Sequence, residues 1–224
     1  MIEVKQLKRS FKDGDRQIDV LKGIDFKAES GEFIAIMGRS GAGKSTLLYQ
    51  ISLLDYPTSG EIIIDNMPTQ DMHAEARTNF RLTHFGYVFQ DYALLPELTA
   101  LDNVVLPLLM QGIEKAKAYK RATETLMIVG LEHRLNNIPS KMSGGEQQRV
   151  SIARGIVHHP KILFADEPTA NLDNESSEVV MKLFQQLNKE GQTIIMVTHE
   201  PEYAKLADKV VKIDDGKILS ITKN

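Results

Sequence analysis

The segment that most constrains this chain is an unbroken apolar run, F-I-A-I-M at residues 33–37, which passes directly into G-R-S-G-A-G-K-S-T at 38–46. Five consecutive apolar residues read as a strand buried on both faces, and helical periodicity follows from Lys44 to about Leu54. The glycine-rich stretch between them is therefore the turn of a strand–loop–helix unit, and it matches G-x-x-x-x-G-K-S/T in the context that pattern requires. Gly41 and Gly43 let the backbone turn its N–H groups inward, and the helix start adds a field that favours anions. Such a loop suits a polyphosphate. Lys44 would reach the β and γ phosphates, Ser45 would offer its hydroxyl to Mg²⁺, and Thr46 would add a phosphate contact. The plainer alternative is a glycine turn that caps a helix.

Around this unit the chain alternates strands and helices. I-L-F-A-D at 162–166 is followed by a helical stretch near 174–189, and T-I-I-M-V follows at 193–197. Buried strands separated by helices imply a parallel sheet. Residues 2–7 and 20–26, with Asp13-Gly14 nearby as a turn, read as a small antiparallel sheet. Between 91 and about 160 strand signals vanish, and K-A-K-A-Y-K-R-A-T-E-T-L-M-I-V has the faces of an amphipathic helix, so this stretch reads as a helical insertion. The tail alternates apolar residues around Asp215-Gly216, a pair favoured in tight hairpins.

Composition removes several functions. A formal net charge of -3 over 224 residues leaves no basic stripe for nucleic-acid phosphates. The absence of cysteine excludes disulfides and thiolate metal sites and fits a reducing compartment. The start, M-I-E-V-K-Q-L-K, has no secretory pattern, and the most apolar stretch, 101–110, is far shorter than the roughly 20 residues that span a bilayer. A cytosolic start is expected, with any membrane span supplied by a partner.

The strand at 162–166 ends in Asp166-Glu167, two carboxylates at the strand edge where open α/β sheets bind ligands. A nearby Mg²⁺ would relieve their repulsion, Asp166 holding the ion and Glu167 polarising an attacking water. Alone, the pair reads equally well as a helix cap. His199, after the strand at 193–197, is placed to sense a γ-phosphate, although a lone histidine there is more often a turn residue.

M-S-G-G-E-Q-Q-R-V at 142–150 opens a helix. Its simplest reading is a capping box, with Ser143 as N-cap and Glu146 three residues on. Gly144 and Gly145 each cost up to roughly 1 kcal/mol in a helix and so suggest close approach of something bulky or anionic.

This segment resembles the signature of ABC ATPases, usually L-S-G-G-Q, and the order of the surrounding motifs resembles that family along essentially the whole chain. The resemblance implies an α/β P-loop NTPase with a mainly parallel core sheet, an N-terminal antiparallel β subdomain and an inserted α-helical signature subdomain. In this single domain of residues 1–224, residues 1–90 and 160–224 would form the core and 91–159 the helical subdomain. Gly38, Arg39, Ser40, Gly41, Ala42, Gly43, Lys44, Ser45 and Thr46 would be the Walker A loop, residues 163–167 the Walker B strand, and Gln90 a Q-loop metal ligand beside Ser45 and Asp166. Asn171-Leu172-Asp173 would be the D-loop, His199 the switch histidine, and Phe11 the ring that stacks on adenine. Without the resemblance, Gln90 reads as a surface residue and Phe11 as core. Met142 and Glu146 depart from the signature, and Arg39 occupies a variable loop position; Glu146 puts a negative charge near nucleotide ribose. Ser143, Gly144, Gly145 and Glu146 of one copy would face the ATP held by Lys44 of another, with Lys44, Glu167 and His199 as the catalytic groups. The expectation is an ATPase homodimer closing on two MgATP and driving a transmembrane permease from the cytoplasmic face, with no nucleic-acid partner and no insertion of its own into the membrane. The run F-Q-D-Y-A-L-L-P-E-L-T-A-L-D-N-V-V-L-P-L looks most like the branch of macrolide export, lipoprotein release, antimicrobial-peptide resistance and cell division. The last member leaves a second reading, signalling or mechanotransmission without transport.

Overall fold

A computed structural model describes residues 1–14 and 16–224, which group into one unit of residues 1–79 and 191–224 and another of residues 80–190. In the first unit β1 (Ile2–Asp13) and β2 (Arg16–Ala28) pair antiparallel, and β4 (Ser59–Ile64) lies on the other side of β1 with the short β5 (Met67–Pro68) beyond it. Both β1 and β2 run further than the apolar pattern at 2–7 and 20–26 suggests. Their distal ends are exposed, so no alternation marks them, and ladder pairing from Phe11–Ile18 to Asp13–Arg16 holds them instead. Gly14, at φ 60°, follows the end of β1 as expected of a turn.

The apolar run at 33–37 is β3 (Phe33–Met37), with four of its five residues buried. It is flanked by β8 (Thr193–Val197) and β9 (Lys209–Asp214), both parallel to it. From β9 the chain turns through Asp215 and Gly216, at φ 46° and 72°, into antiparallel β10 (Lys217–Lys223), the two-residue turn that the aspartate–glycine pair favours. Helix α1 (Lys44–Ile51) seats Leu47, Leu48 and Ile51 in the core, each worth about 1.5–3 kcal/mol on burial. It stops short of Leu54 because Leu53 turns left-handed, at φ 59°. The four-residue α7 (Pro201–Ala204) follows β8.

In the second unit β6 (Phe85–Val88) and β7 (Ile162–Asp166) pair in parallel, with the Phe85 and Phe164 rings edge-to-face at 5.0 Å. The helices are α3 (Ala100–Met110), α4 (Lys115–Ile128), α5 (Gly144–Ile156) and α6 (Asn174–Lys189), and no strand lies between β6 and β7. Helix α4 buries Ala118, Ala122, Thr125 and Leu126, a stripe at four- and three-residue spacing that matches its amphipathic pattern. Helix α5 crosses β6 so closely that a Cβ on Gly86 would sit 2.0 Å from the Gly155 carbonyl oxygen, so this contact exists only because residue 86 is glycine. Helix α2 (Ala74–His84) carries the chain from the first unit into the second. Among the described residues no helix is long and apolar enough to cross a membrane.

Candidate functional site

In the first unit, the loop after β3 wraps to Gly43, which caps α1 at φ 99° and ψ 11°, a conformation that side-chain-bearing residues rarely adopt. No side chain caps this helix start and no acid lies in its first turn. A helix start carries about half a positive charge and N–H groups that lack intrahelical acceptors, so α1 presents an anion-attracting end. Lys44 is 7% exposed and its Nζ donates to the Arg39 carbonyl oxygen at 3.2 Å, which folds the ammonium back over the loop. The Arg39 side chain points elsewhere, its Nη2 donating to both carboxylate oxygens of Asp214 at 2.9 and 2.8 Å. His199 is exposed just beyond β8, and Thr198 N–H donates to the Ile36 carbonyl oxygen at 3.1 Å. The carboxyl ends of β8 and β3 are thus neighbours, and His199 emerges at the same sheet edge as the loop. Phe11, on β1, is 42% exposed rather than in the core, and the Arg9 guanidinium lies 4.4 Å from its ring centroid.

In the second unit, fully buried β7 delivers Asp166, which is 5% exposed, and Glu167, held at φ 44°. A left-handed glutamate costs about 1–3 kcal/mol and persists only when its surroundings dictate it. Two restraints do so here: the Glu167 carbonyl oxygen accepts from Ala170 N–H at 3.1 Å, and the next carbonyl, of Pro168, accepts from Gln148 Nε2 at 2.6 Å. Gln148 lies on α5, so the signature helix is tied directly to the segment after β7.

Gln90 is exposed beyond β6 and its carbonyl oxygen accepts from Asn171 Nδ2 at 2.9 Å. Tyr92 and Ala93 follow at φ 63° and 47°, and the Arg154 guanidinium, from α5, donates to both their carbonyl oxygens at 2.9 and 2.5 Å. The Tyr92 hydroxyl donates to the Asn171 carbonyl oxygen at 3.3 Å, and its partial burial raises the phenol's pKa. The stretches around Gln90, Asn171 and α5 therefore form one hydrogen-bonded set.

The capping box is present. Ser143 Oγ accepts from Glu146 N–H at 3.2 Å and Glu146 Oε2 accepts from Ser143 N–H at 2.8 Å, while Arg134 Nε donates to Glu146 Oε1 at 2.7 Å. Burial pushes the Glu146 carboxyl up, but the Ser143 N–H and the Arg134 guanidinium together outweigh it and hold it below the usual carboxylate range. A Cβ on Gly144 would meet the Tyr92 hydroxyl at 2.9 Å, and one on Gly145 would meet Ser176 Oγ at 2.6 Å. The Tyr92 hydroxyl is a side-chain end that can swing aside, but Ser176 Cβ would also lie 2.8 Å from a Cβ on Gly145 and no rotation of the serine moves it, so packing within the chain accounts for the glycine at 145 but not for the one at 144. A cleft of about 160 Å³ opens beside them, bounded by Ser143, Gly145, Glu146, Arg149, Glu175 and Ser176, and the buried Arg149 Nε has no acceptor among the described residues. Asp173 caps α6, accepting from Ser176 N–H at 2.7 Å and Ser176 Oγ at 3.1 Å, contacts that lower its pKa.

Each unit thus gathers its own set: Phe11, residues 38–46 and His199 in the first, and Gln90, Ser143–Glu146, Asp166, Glu167 and Asp173 in the second. Sequence reasoning missed Arg134, Gln148, Arg149 and Arg154, whose partners or surroundings are not neighbours in sequence. Among the described residues no three or more of His, Asp and Glu cluster as a metal site. Ser45 in the first unit carries a hydroxyl oxygen, and Gln90 and Asp166 in the second an amide and a carboxylate oxygen, each a ligand type that a hard cation such as Mg²⁺ takes.

A sequence profile of the family described as ABC transporter matches residues 21–170. An uncharacterized ABC transporter ATP-binding protein of Methanocaldococcus jannaschii is 48% identical, over 99% of both chains. The lipoprotein-releasing system ATP-binding protein LolD of Syntrophotalea carbinolica is 46% identical, over 97% of this chain and 96% of that one. A solved dimeric structure of the ATP-binding cassette MJ0796, in a post-hydrolysis state bound to ADP and Pi, superposes with a TM-score of 0.93 at 39% identity, covering all of this chain and 98% of that one.

Proposed function

This chain belongs to the ABC transporter family as one of its ATP-hydrolysing, ATP-binding subunits, and on that premise we propose that two copies close head to tail over two MgATP to drive a transmembrane permease. The observation that carries the reading is the start of α1, where buried Lys44 adjoins a helix end with no side-chain cap and no acid. In this reading Lys44 grips the β and γ phosphates and the loop N–H groups of residues 38–46 cradle them. Bound Mg²⁺ would offset phosphate charge, held by Ser45, Gln90 and Asp166. Glu167 takes the proton of the attacking water, His199 contacts the γ-phosphate, and Phe11 offers adenine the ring face away from Arg9. Ser143 and Gly145 of the second copy close the site, Gly144 and Glu146 shape that edge, and Asp173 holds the adjacent loop.

The helical segment 91–159 serves as the signature-bearing insertion in a core of residues 1–90 and 160–224. Phe89, Tyr92, Leu94 and Leu95, in and beside the strained turn that Arg154 clamps, line the permease contact, which places the subunit on the cytoplasmic face of the membrane. The similarity to LolD supports an export or lipoprotein-extruding system as the partner.

Replacing Glu167 by glutamine tests the assignment. The variant keeps ATP binding, loses about 10²–10⁴-fold in turnover, and accumulates as an ATP-containing dimer on size-exclusion chromatography. Turnover at the wild-type rate would remove Glu167 as the base.

A further inference from the structure

Glu146 brings a carboxylate to the helix start that, in the proposed function, faces the triphosphate of the second copy. Left alone, that charge would repel the ligand as the dimer closes. Its side chain is only 12% exposed, so water screens it poorly. The counter-charge comes from Arg134, in the 3-10 turn Glu132–Arg134, whose Nε donates to Oε1 at 2.7 Å; His133 Nε2 stands 3.8 Å from the same oxygen. The other oxygen, Oε2, accepts from the backbone N–H of Ser143. A single line of hydrogen bonds therefore runs from Arg134 through Glu146 to the serine that caps α5.

We propose that Arg134 is a positioning residue for ATP-driven dimer closure: it neutralises Glu146 and keeps that carboxylate on the Ser143 N–H, so that the start of α5 can meet a γ-phosphate. The proposal rests on the head-to-tail reading above and adds to it a residue outside every motif. Arg134 is not needed to cap the helix, since both bonds of the capping box lie between Ser143 and Glu146. Its removal should therefore spare the fold and fall on closure.

The test is a cycle of four proteins in the Glu167→Gln background, with Arg134→Ala and Glu146→Gln introduced singly and together. The readout is the ATP concentration at half-maximal dimer in analytical ultracentrifugation. Arg134→Ala should raise that midpoint about ten- to hundredfold, the scale of one hydrogen bond to a charged group. The same change made on top of Glu146→Gln should raise it by about threefold or less, because a neutral amide needs no counter-charge. Arg134→Lys, which keeps the charge, should stay within about tenfold of the parent and guards against a folding defect in the alanine variant. Equal shifts in both backgrounds, no shift in either, or a lysine variant as impaired as alanine would overturn the role. A parent that forms no dimer with ATP would instead sink the head-to-tail reading and this proposal with it.

Discussion

Helix α1 begins at a left-handed glycine with a buried lysine behind it and no acid in its first turn, whereas α5 begins at a serine locked into a capping box by a glutamate that an arginine neutralises. Both starts are aimed at the same triphosphate in the proposed function, yet they are built to opposite specifications. The start of α1 has no acid in its first turn, and in the proposed function a polyphosphate meets it within one chain. At α5 the orphan N–H groups are already partly satisfied and the local charges nearly cancel. That end can add only short-range contacts, through the Ser143 hydroxyl and the glycine backbone, once a second copy has come close. In the proposed function grip belongs to one helix start and closure to the other.

The contrast can be broken most decisively at Lys44. Lys44→Ala should weaken ATP binding to the single subunit by roughly a hundredfold or more, the loss of charge-assisted bonds to two phosphates. Fluorescent-nucleotide titration measures this, and a loss under about tenfold would mean that α1 does not dominate the grip. Gly43→Ala probes the same end through the backbone. Its Cβ would stand 3.0 Å from both Leu21 Cδ2 and the Val20 carbonyl oxygen at φ 99°, so unfolding in urea should show a loss of about 1–3 kcal/mol. A variant as stable as the parent would show that the loop has room to reshape.

The smallest effect sharpens the α5 side. The carboxyl of Glu146 is lowered in the folded chain, so the stability it contributes is complete at neutral pH and drains away as the pH falls through the carboxylate range. A urea-midpoint series should therefore show less acid sensitivity in Glu146→Gln than in the parent. Identical profiles would mean that the Ser143 N–H and Arg134 contacts together do not stabilise the charged form.

Much of the first unit's chemistry was legible because it is local. Strand, loop and helix are contiguous from Phe33 to Ile51, and Gly43, Lys44 and Ser45 are consecutive at the helix start. The capping box was legible for the same reason, since Ser143 and Glu146 are three residues apart. The distal halves of β1 and β2 were not, because strands exposed on both faces carry no alternation to betray them. The reading of Phe11 as core, which needed only local hydrophobicity, fails because its strand has no cover at that point, and Arg9 takes one ring face instead.

By itself the sequence determined the glycine-rich loop after β3, the alternation of strand and helix at residues 33–51 and 162–197, the two carboxylates at the end of β7 and the cap of α5, all of them set by residue types at short, fixed spacings. Only the tertiary structure decided that Arg154 clamps Tyr92 and Ala93, that Gln148 holds Pro168, that Asn171 holds Gln90 and that Arg134 neutralises Glu146. Those partners lie 12 to 81 residues apart along the chain. Such bonds form only after packing has brought separate elements to within about 3 Å, the reach of a hydrogen bond, and no periodicity records which donor will arrive.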